Sequence, residues 1–350
     1  MIEVPITDTS LNEHLGALPP DGLHFFTLGS PDGPPGGELR GALVHATRLV
    51  NRMRANHGLG LLESYMLGQA CVAAALLAST LKGQDRLGLR LDCEGPAQGW
   101  SVEASASEGG FGVRGHLFLD AFTLAELPKT FDTAPLVGAG SLTLTRQSEG
   151  AAQPFTGRVA LKTGRLAEDL AVAFLESEQT PTAFDLGLHF DREGRLSGAG
   201  GLYLQALPGA TVSLLERAES ALAGFKPIGR FFAEGGQAEA WLGASFASMG
   251  LVLRGGAPVA FRCNCERERF AKFMANVGSE KATGVAPGSL GSGTAGEPPS
   301  APAVSPRRSL LHDLAEEGPW PVEAVCHQCG SRYYWSREEL LGLIAKQALI

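Results

Sequence analysis

The chain has 350 residues, 44% of them hydrophobic, with a formal net charge of −8 and a pI of about 5.6. That length holds a sizeable core and more than one domain, and the acidic balance argues against a dedicated nucleic-acid binder, which would show a strongly basic face. The opening stretch MIEVPITDTSLNEHLG has no basic segment leading into an apolar one, and the apolar run Cys71–Thr80 is far shorter than the ~20 residues of a membrane span, so a cytoplasmic protein with no membrane partner is expected.

Taken in chain order, Leu23–Leu28 reads as a strand and Ser30–Gly37 as a Pro/Gly-rich turn. Leu39, Leu43, Ala46, Leu49, Val50 and Met53 recur at three- and four-residue spacing, which predicts a helix that Gly58 ends. A second helix is predicted from Glu63 to Leu81; its small apolar residues require burial on most sides, with Cys71 a packed core thiol. Alternation then predicts strands through Leu87–Cys93, Val102–Ala106 and Phe111–Leu119, with shorter ones at 141–145, 157–161, 186–190 and 196–205. Cys93 falls at a strand end and reads as core. An amphipathic helix spans Ala167–Ser177. Strands in runs, rather than strict alternation with helices, predict a largely antiparallel sheet.

Pro208-Gly209 marks a boundary. Beyond it, Val212, Leu215, Ala218 and Leu222 form one helical face, and Ile228, Phe231, Phe232, Trp241, Leu242 and Phe246 lie in helices interrupted by Gly229, Gly235 and Gly236. Such a segment must lie on a neighbour and reads as a metastable linker, 209–257, against the alternative of an ordinary extension of the core. Helices are expected after Cys265, at Ser309–Glu317 and from Ser336, where Ser336 and Glu339 form a capping box; Arg332–Trp335 reads as a strand. The Gly/Ala/Pro/Ser run 278–306 is low in complexity and is expected to be a disordered insertion.

The most specific chemical signal is two thiol pairs, Cys263-Asn264-Cys265 and Cys326-His327-Gln328-Cys329. A C-x-x-C turn aims two sulfurs at one point about 2.3 Å away, the Zn–S distance. A C-x-C pair can also bind one metal, and its sulfurs are close enough to form a strained, labile disulfide. The pattern reads as a four-cysteine zinc site with oxidisable ligands, against the alternatives of two isolated disulfides or four inert thiols. Clustered cysteines in a reducing compartment favour metal or redox chemistry. His327 reads as a solvent-facing spacer, and His312 is a weaker ligand candidate still. Residues 258–350 carry ten basic and ten acidic side chains, whereas a zinc ribbon gripping nucleic acid carries excess positive charge. A catalytic zinc would keep an open position, and a thiol oxidoreductase would set its C-x-x-C at a helix N-terminus, so no enzyme is expected. The rival reading is a zinc-ribbon regulatory or nucleic-acid-binding protein.

The chain resembles the heat shock protein 33 family of redox-regulated holdases. The resemblance runs through Arg40-Gly41, Leu81–Leu87, Gly95-Pro96, Ser101–Ala104, Val113-Arg114-Gly115, Ala167–Ala171, Ser177–Pro181, Gly200-Gly201 and Gln205–Gly209 to Phe261-Arg262-Cys263-x-Cys265-x-Arg267 and Cys326-x-x-Cys329. It implies an α+β protein with three parts: an N-terminal α/β substrate-binding domain (1–208), the helical linker (209–257) and a C-terminal zinc-binding switch (258–350) interrupted by 278–306. It also implies one Zn²⁺ per reduced chain on Cys263, Cys265, Cys326 and Cys329. On oxidation the implied disulfides are Cys263–Cys265 and Cys326–Cys329, with linker unfolding, homodimer formation and ATP-independent holding of unfolded, aggregation-prone clients. The absence of a Walker-type phosphate loop agrees with that. The segment between the cysteine pairs is about twice the family's usual length.

Overall fold

The computed structural model describes residues 2–3, 9–29, 38–119, 121–124, 130–277 and 309–347. The turn expected at 30–37 and the insertion at 278–306 lie outside the described residues. Contacts divide the chain into two compact units, Met1–Cys263 with His327–Gly330, and Asn264–Cys326 with Ser331–Ile350.

The first unit runs β1 (Ile2–Glu3), α1 (Thr9–Ala17), β2 (Gly22–Leu28), β3 (Leu39–His45), α2 (Thr47–His57), α3 (Leu61–Ala78), β4 (Arg86–Cys93), β5 (Gly99–Ser107), β6 (Gly110–Leu117), α4 (Ala134–Val137), β7 (Gly140–Gln147), β8 (Phe155–Ala160), α5 (Leu166–Glu178), β9 (Thr182–Phe190), β10 (Leu196–Ala206), α6 (Val212–Gly224), α7 (Ile228–Ala233), α8 (Ala238–Phe246) and β11 (Val252–Cys263). The sheet order is β8-β7-β4-β5-β6-β11-β2-β3-β10-β9, with β1 paired to the end of β11. The sheet is largely antiparallel, as expected; the parallel pairing is β11 with β6. β11 joins two runs of strands by running antiparallel to β2 over Val252–Pro258 and then parallel to β6 over Val259–Phe261.

Alternation in β4 puts Leu87, Leu89 and Leu91 in the core, and Val102, Ala104 and Val113 join them from β5 and β6. These strands pack against α3, whose composition leaves it no polar face and which is buried along most of its length. By length and composition alone α3 is apolar enough to cross a membrane, but 72% of it is buried inside the fold. Cys71 is fully buried in it, and burial pushes its thiol up to about 12. Cys93 is half-buried and is pushed up for the same reason, so neither thiol is a ready nucleophile.

One predicted helix is corrected. The spacing that predicts helix from Leu39 belongs partly to a strand: Leu39–His45 is β3, and helix begins only at Thr47. β3 lies between β2 and β10 and is buried on both faces except at Arg40, so it shows no alternation. Leu39 and Leu43 then mimic a helical i, i+4 pair. β11 is likewise unanticipated, because Arg254, Gly255, Gly256 and a register shift near Gly255 interrupt its pattern.

Helices α6 to α8 carry an apolar face that would be exposed if they stood alone. It is buried in a cluster with Phe26 and Leu28 of β2, Leu39 and Leu43 of β3 and Leu202 and Leu204 of β10; Phe232, Trp241, Leu242 and Phe246 are the helices' main contributors. Phe246 stacks on Phe26 with centroids 5.7 Å apart. A side chain of this size contributes about 1.5–3 kcal/mol on burial. The seat for α7 is made by glycines: a Cβ at Gly198 would lie 2.1 Å from the Gly229 carbonyl oxygen, and one at Gly187 2.7 Å from the Gly229 nitrogen. Backbone-to-backbone approach of this kind requires glycine.

His45, at the end of β3, is buried with its ring 4.5 Å from that of Phe232 in α7. Its Nε2 hydrogen-bonds Thr47 Oγ1 at 2.9 Å, and its Nδ1 faces the Pro20 carbonyl and, at 3.8 Å, the Asp21 carboxylate. Burial holds its pKa below the ordinary 6.5; the Pro20 carbonyl opposes that shift, and the nearby His24 and Arg48 add to it. The unfolded chain therefore binds a proton here more readily than the fold does. The resulting stability is fully present above pH 6.5 and is lost as pH falls through the folded pKa. Urea unfolding at pH 7.5 and 5.5 is expected to show a larger acid loss for the wild type than for His45→Gln. Equal losses would exclude His45 as the group responsible.

The second unit runs α9 (Arg267–Asn276), α10 (Leu310–Glu317), β12 (Val322–Val325), β13 (Arg332–Trp335) and α11 (Arg337–Gln347). β12 and β13 pair antiparallel around the C-x-x-C turn. The predicted capping box is present: Glu339 N donates to Ser336 Oγ at 3.2 Å, and Ser336 N donates to Glu339 Oε2 at 2.9 Å. Among the described residues the core is small, comprising Met274, Ala275, Leu311, Ala315, Val322, Trp335 and Leu340. A domain with about fifty described residues and so few core side chains generally requires a further staple to be stable.

Candidate metal centre

The four cysteines are delivered by two strand ends. Cys263 is the last residue of β11, paired in register with Ile2 of β1, and Cys265 lies two residues on, just before α9. Cys326 follows β12, and its N–H donates to the Ser331 carbonyl at 2.8 Å, which closes the turn that carries Cys329. Gly330 ends this turn at φ +70°, where a Cβ would strike the Asn56 carbonyl oxygen at 2.2 Å, so glycine is required on both counts. Gly115 N donates to Gln328 O at 3.0 Å.

The four Sγ atoms lie within 4.8 Å of one another, and all four side chains are buried. None is in a disulfide. Four thiolates placed tetrahedrally at about 2.3 Å from a zinc ion would be about 3.8 Å apart, so the cluster needs only small adjustment to close on one ion. Four buried thiols with no oxygen or nitrogen ligand among them suit a soft, tetrahedral metal. His327 is exposed and His312 hydrogen-bonds Ser309 through Nδ1; neither belongs to the cluster.

Two further side chains reach the sulfurs. Arg114 Nη1 donates to Cys263 Sγ at 3.5 Å, and Tyr333 Oη lies 3.2 Å from Cys265 Sγ and 3.1 Å from the Cys265 carbonyl oxygen, its one proton shared between them. Sequence reasoning assigned neither a role. Arg114 stood out only as part of a shared Val-Arg-Gly stretch, and Tyr333 only as a strand aromatic; no spacing rule links either to a cysteine more than sixty residues away. His116 is half-buried on the same strand as Arg114, its pKa lowered first by burial and then by His327.

A family profile described as Hsp33 protein matches residues 34–286. A curated protein of Thermus thermophilus named 33 kDa chaperonin is 33% identical over 326 residues, covering 89% of this chain and 84% of the relative. A 33 kDa chaperonin of Geobacter sulfurreducens is 30% identical over 305 residues, covering 87% and 90%. The crystal structure of a 33 kDa chaperonin from Thermotoga maritima superposes with a TM-score of 0.73 at 25% identity, covering 94% of this chain and 99% of that one. The fold, the thiol cluster and the relatives agree, and the chain belongs to the Hsp33 family of chaperones.

Proposed function

We propose that this protein is a cytoplasmic, redox-gated holdase that works without ATP or catalytic turnover. Reduced, it holds one Zn²⁺ on Cys263, Cys265, Cys326 and Cys329 and is closed. Oxidised, it carries the disulfides Cys263–Cys265 and Cys326–Cys329, dimerises, and binds unfolding proteins through apolar surface. The observation that carries the reading is the convergence of four buried thiols, none in a disulfide, in a chain whose second unit has, among its described residues, a core of few side chains.

A bound zinc ion would hold the four sulfurs as thiolates and tie together segments that the small core alone holds weakly. In oxidation, each cysteine pair gives two electrons to one peroxide. An S–S bond forms, the O–O bond breaks, and the two oxygens leave as hydroxide. The sulfurs then lack the charge that binds a metal, and the module loses on the order of 10 kcal/mol of metal-coupled stability.

The linker 209–257 is the element expected to respond. Its helices bury Phe232, Trp241 and Phe246, yet Trp241 Nε1 and the Ser245 hydroxyl are buried there with no hydrogen-bond partner among the described residues. Undocking returns both groups to water, which offsets part of the lost apolar burial. The exposed cluster then offers the apolar patch that unfolded chains bind. The test is suppression of aggregation of a denatured client, measured before and after hydrogen peroxide at a temperature that loosens the linker. Zinc should fall from one per chain to none as protection appears. Zinc that stays, with no gain in protection, contradicts the reading.

A further inference from the structure

Arg114 and Glu103 face each other as cross-strand partners of β6 and β5. Glu103 Oε2 accepts from Arg114 Nε at 2.9 Å and from Nη2 at 2.5 Å. Two contacts to one carboxylate oxygen fix the plane of the guanidinium. The remaining nitrogen, Nη1, is thereby aimed at Cys263 Sγ, 3.5 Å away. The Arg114 side chain is only 19% exposed, so its charge is poorly screened.

We propose that Arg114 is a positioning residue that damps the reactivity of Cys263 and tightens the site's grip on its metal. The inference rests on the four-thiolate zinc reading and adds to it a determinant of how readily the site opens. The chemical reason is the lone pair. Attack on peroxide uses a sulfur lone pair to form an S–O bond; the O–O bond breaks and hydroxide leaves, giving a sulfenic acid. The neighbouring thiolate then displaces a second hydroxide and forms the disulfide. An N–H donor carrying positive charge withdraws density from that lone pair and slows the first step. It also offsets part of the −2 charge that four thiolates and one Zn²⁺ carry together, which favours the assembled site. Glu103 acts one step further out: it holds the guanidinium in place and does not touch sulfur.

The experiment uses the full-length, reduced, zinc-loaded protein and its Arg114→Gln, Arg114→Lys and Glu103→Gln variants. A chromophoric chelator reports zinc release after hydrogen peroxide, and chelator competition without peroxide reports affinity. Arg114→Gln is expected to release zinc about tenfold faster and to bind it about tenfold more weakly, the low end of effects seen for outer-sphere partners of metal ligands. Arg114→Lys keeps the charge but not the fork that Glu103 fixes, and both it and Glu103→Gln are expected to fall between wild type and Arg114→Gln. A folded Arg114→Gln protein that releases zinc at the wild-type rate overturns the assignment. So does Arg114→Lys behaving like Arg114→Gln, since that makes the side chain's shape, and not its charge, the cause. If Arg114→Gln does not fold, Glu103→Gln carries the same expectation in the same direction, and a wild-type rate there overturns it. A wild-type protein whose zinc ignores peroxide contradicts the proposed function and this inference with it. Normal wild-type release with unchanged variants removes the Arg114 assignment alone.

Discussion

Cys329→Ser is expected to weaken the reduced protein's hold on zinc about a hundredfold and to loosen the ordered structure of its second unit. Cys329 is fully buried at the end of the C-x-x-C turn, so the serine hydroxyl would replace a thiolate where no water can substitute for it. Structural zinc contributes about 10–16 kcal/mol to small metal domains. Shared evenly among four ligands, one thiolate accounts for about 3 kcal/mol, or roughly a hundredfold in affinity. Among its described residues the unit it supports has a core cluster of seven buried side chains and little margin to absorb that loss. Zinc stoichiometry and chelator competition measure the first effect. Amide hydrogen exchange over α9, α10 and α11 measures the second, with protection expected to fall there and to persist in β4, β5 and α3. A variant with unchanged zinc stoichiometry and affinity would remove Cys329 from the ligand set. The same reasoning applies to Cys263, Cys265 and Cys326.

Gly198→Val is expected to produce a protein that protects clients while reduced and still loaded with zinc. A Cβ at Gly198 would lie 2.1 Å from the Gly229 carbonyl oxygen and 2.5 Å from the Ala233 nitrogen, both backbone atoms of α7. No rotamer change relieves such a contact, so α7 has to move. Overpacking of this kind costs about 1–3 kcal/mol, which raises the undocked population roughly five- to a hundredfold. The surface uncovered includes Ile228 and Phe232, with Trp241 and Phe246 beside them. Hydrophobic-dye binding and aggregation suppression without peroxide are the readouts, alongside zinc stoichiometry, which should stay at one. Gly229→Ala, whose Cβ would sit 2.8 Å from the Gly187 backbone, is the milder companion and should shift both readouts in the same direction. A folded Gly198→Val protein as inert as the reduced wild type would show that undocking α7 does not expose the client-binding surface.

The parts of this protein that were legible in its sequence are those whose physics is local. The period-two pattern of Leu87, Leu89 and Leu91 is a strand on any neighbour, and the all-apolar α3 has to be central wherever it packs. The capping box at Ser336 and Glu339 is complete within four residues. The thiol pairs were legible for the same reason, because C-x-C and C-x-x-C each place two sulfurs together without help from the rest of the fold, and the structure brings the two pairs within 4.8 Å. What escaped was set by distant neighbours. β3 lost its alternation because both its faces are covered. β11 takes its place from β2 and β6, more than a hundred residues away in sequence, and glycines disguise it. Arg114 and Tyr333 become partners of Cys263 and Cys265 only once the chain has folded. The glycine seat of α7 was visible as punctuation in the linker, but that Gly187 and Gly198 form its other half is a tertiary fact.

The most direct test follows zinc release and client protection on one peroxide time course, with the reduced full-length protein at a temperature that loosens the linker. The account predicts one zinc per chain at the start, loss of zinc as the thiols Cys263, Cys265, Cys326 and Cys329 disappear, and protection that rises with that loss and never before it. Full protection while zinc and all four thiols remain in place would contradict it.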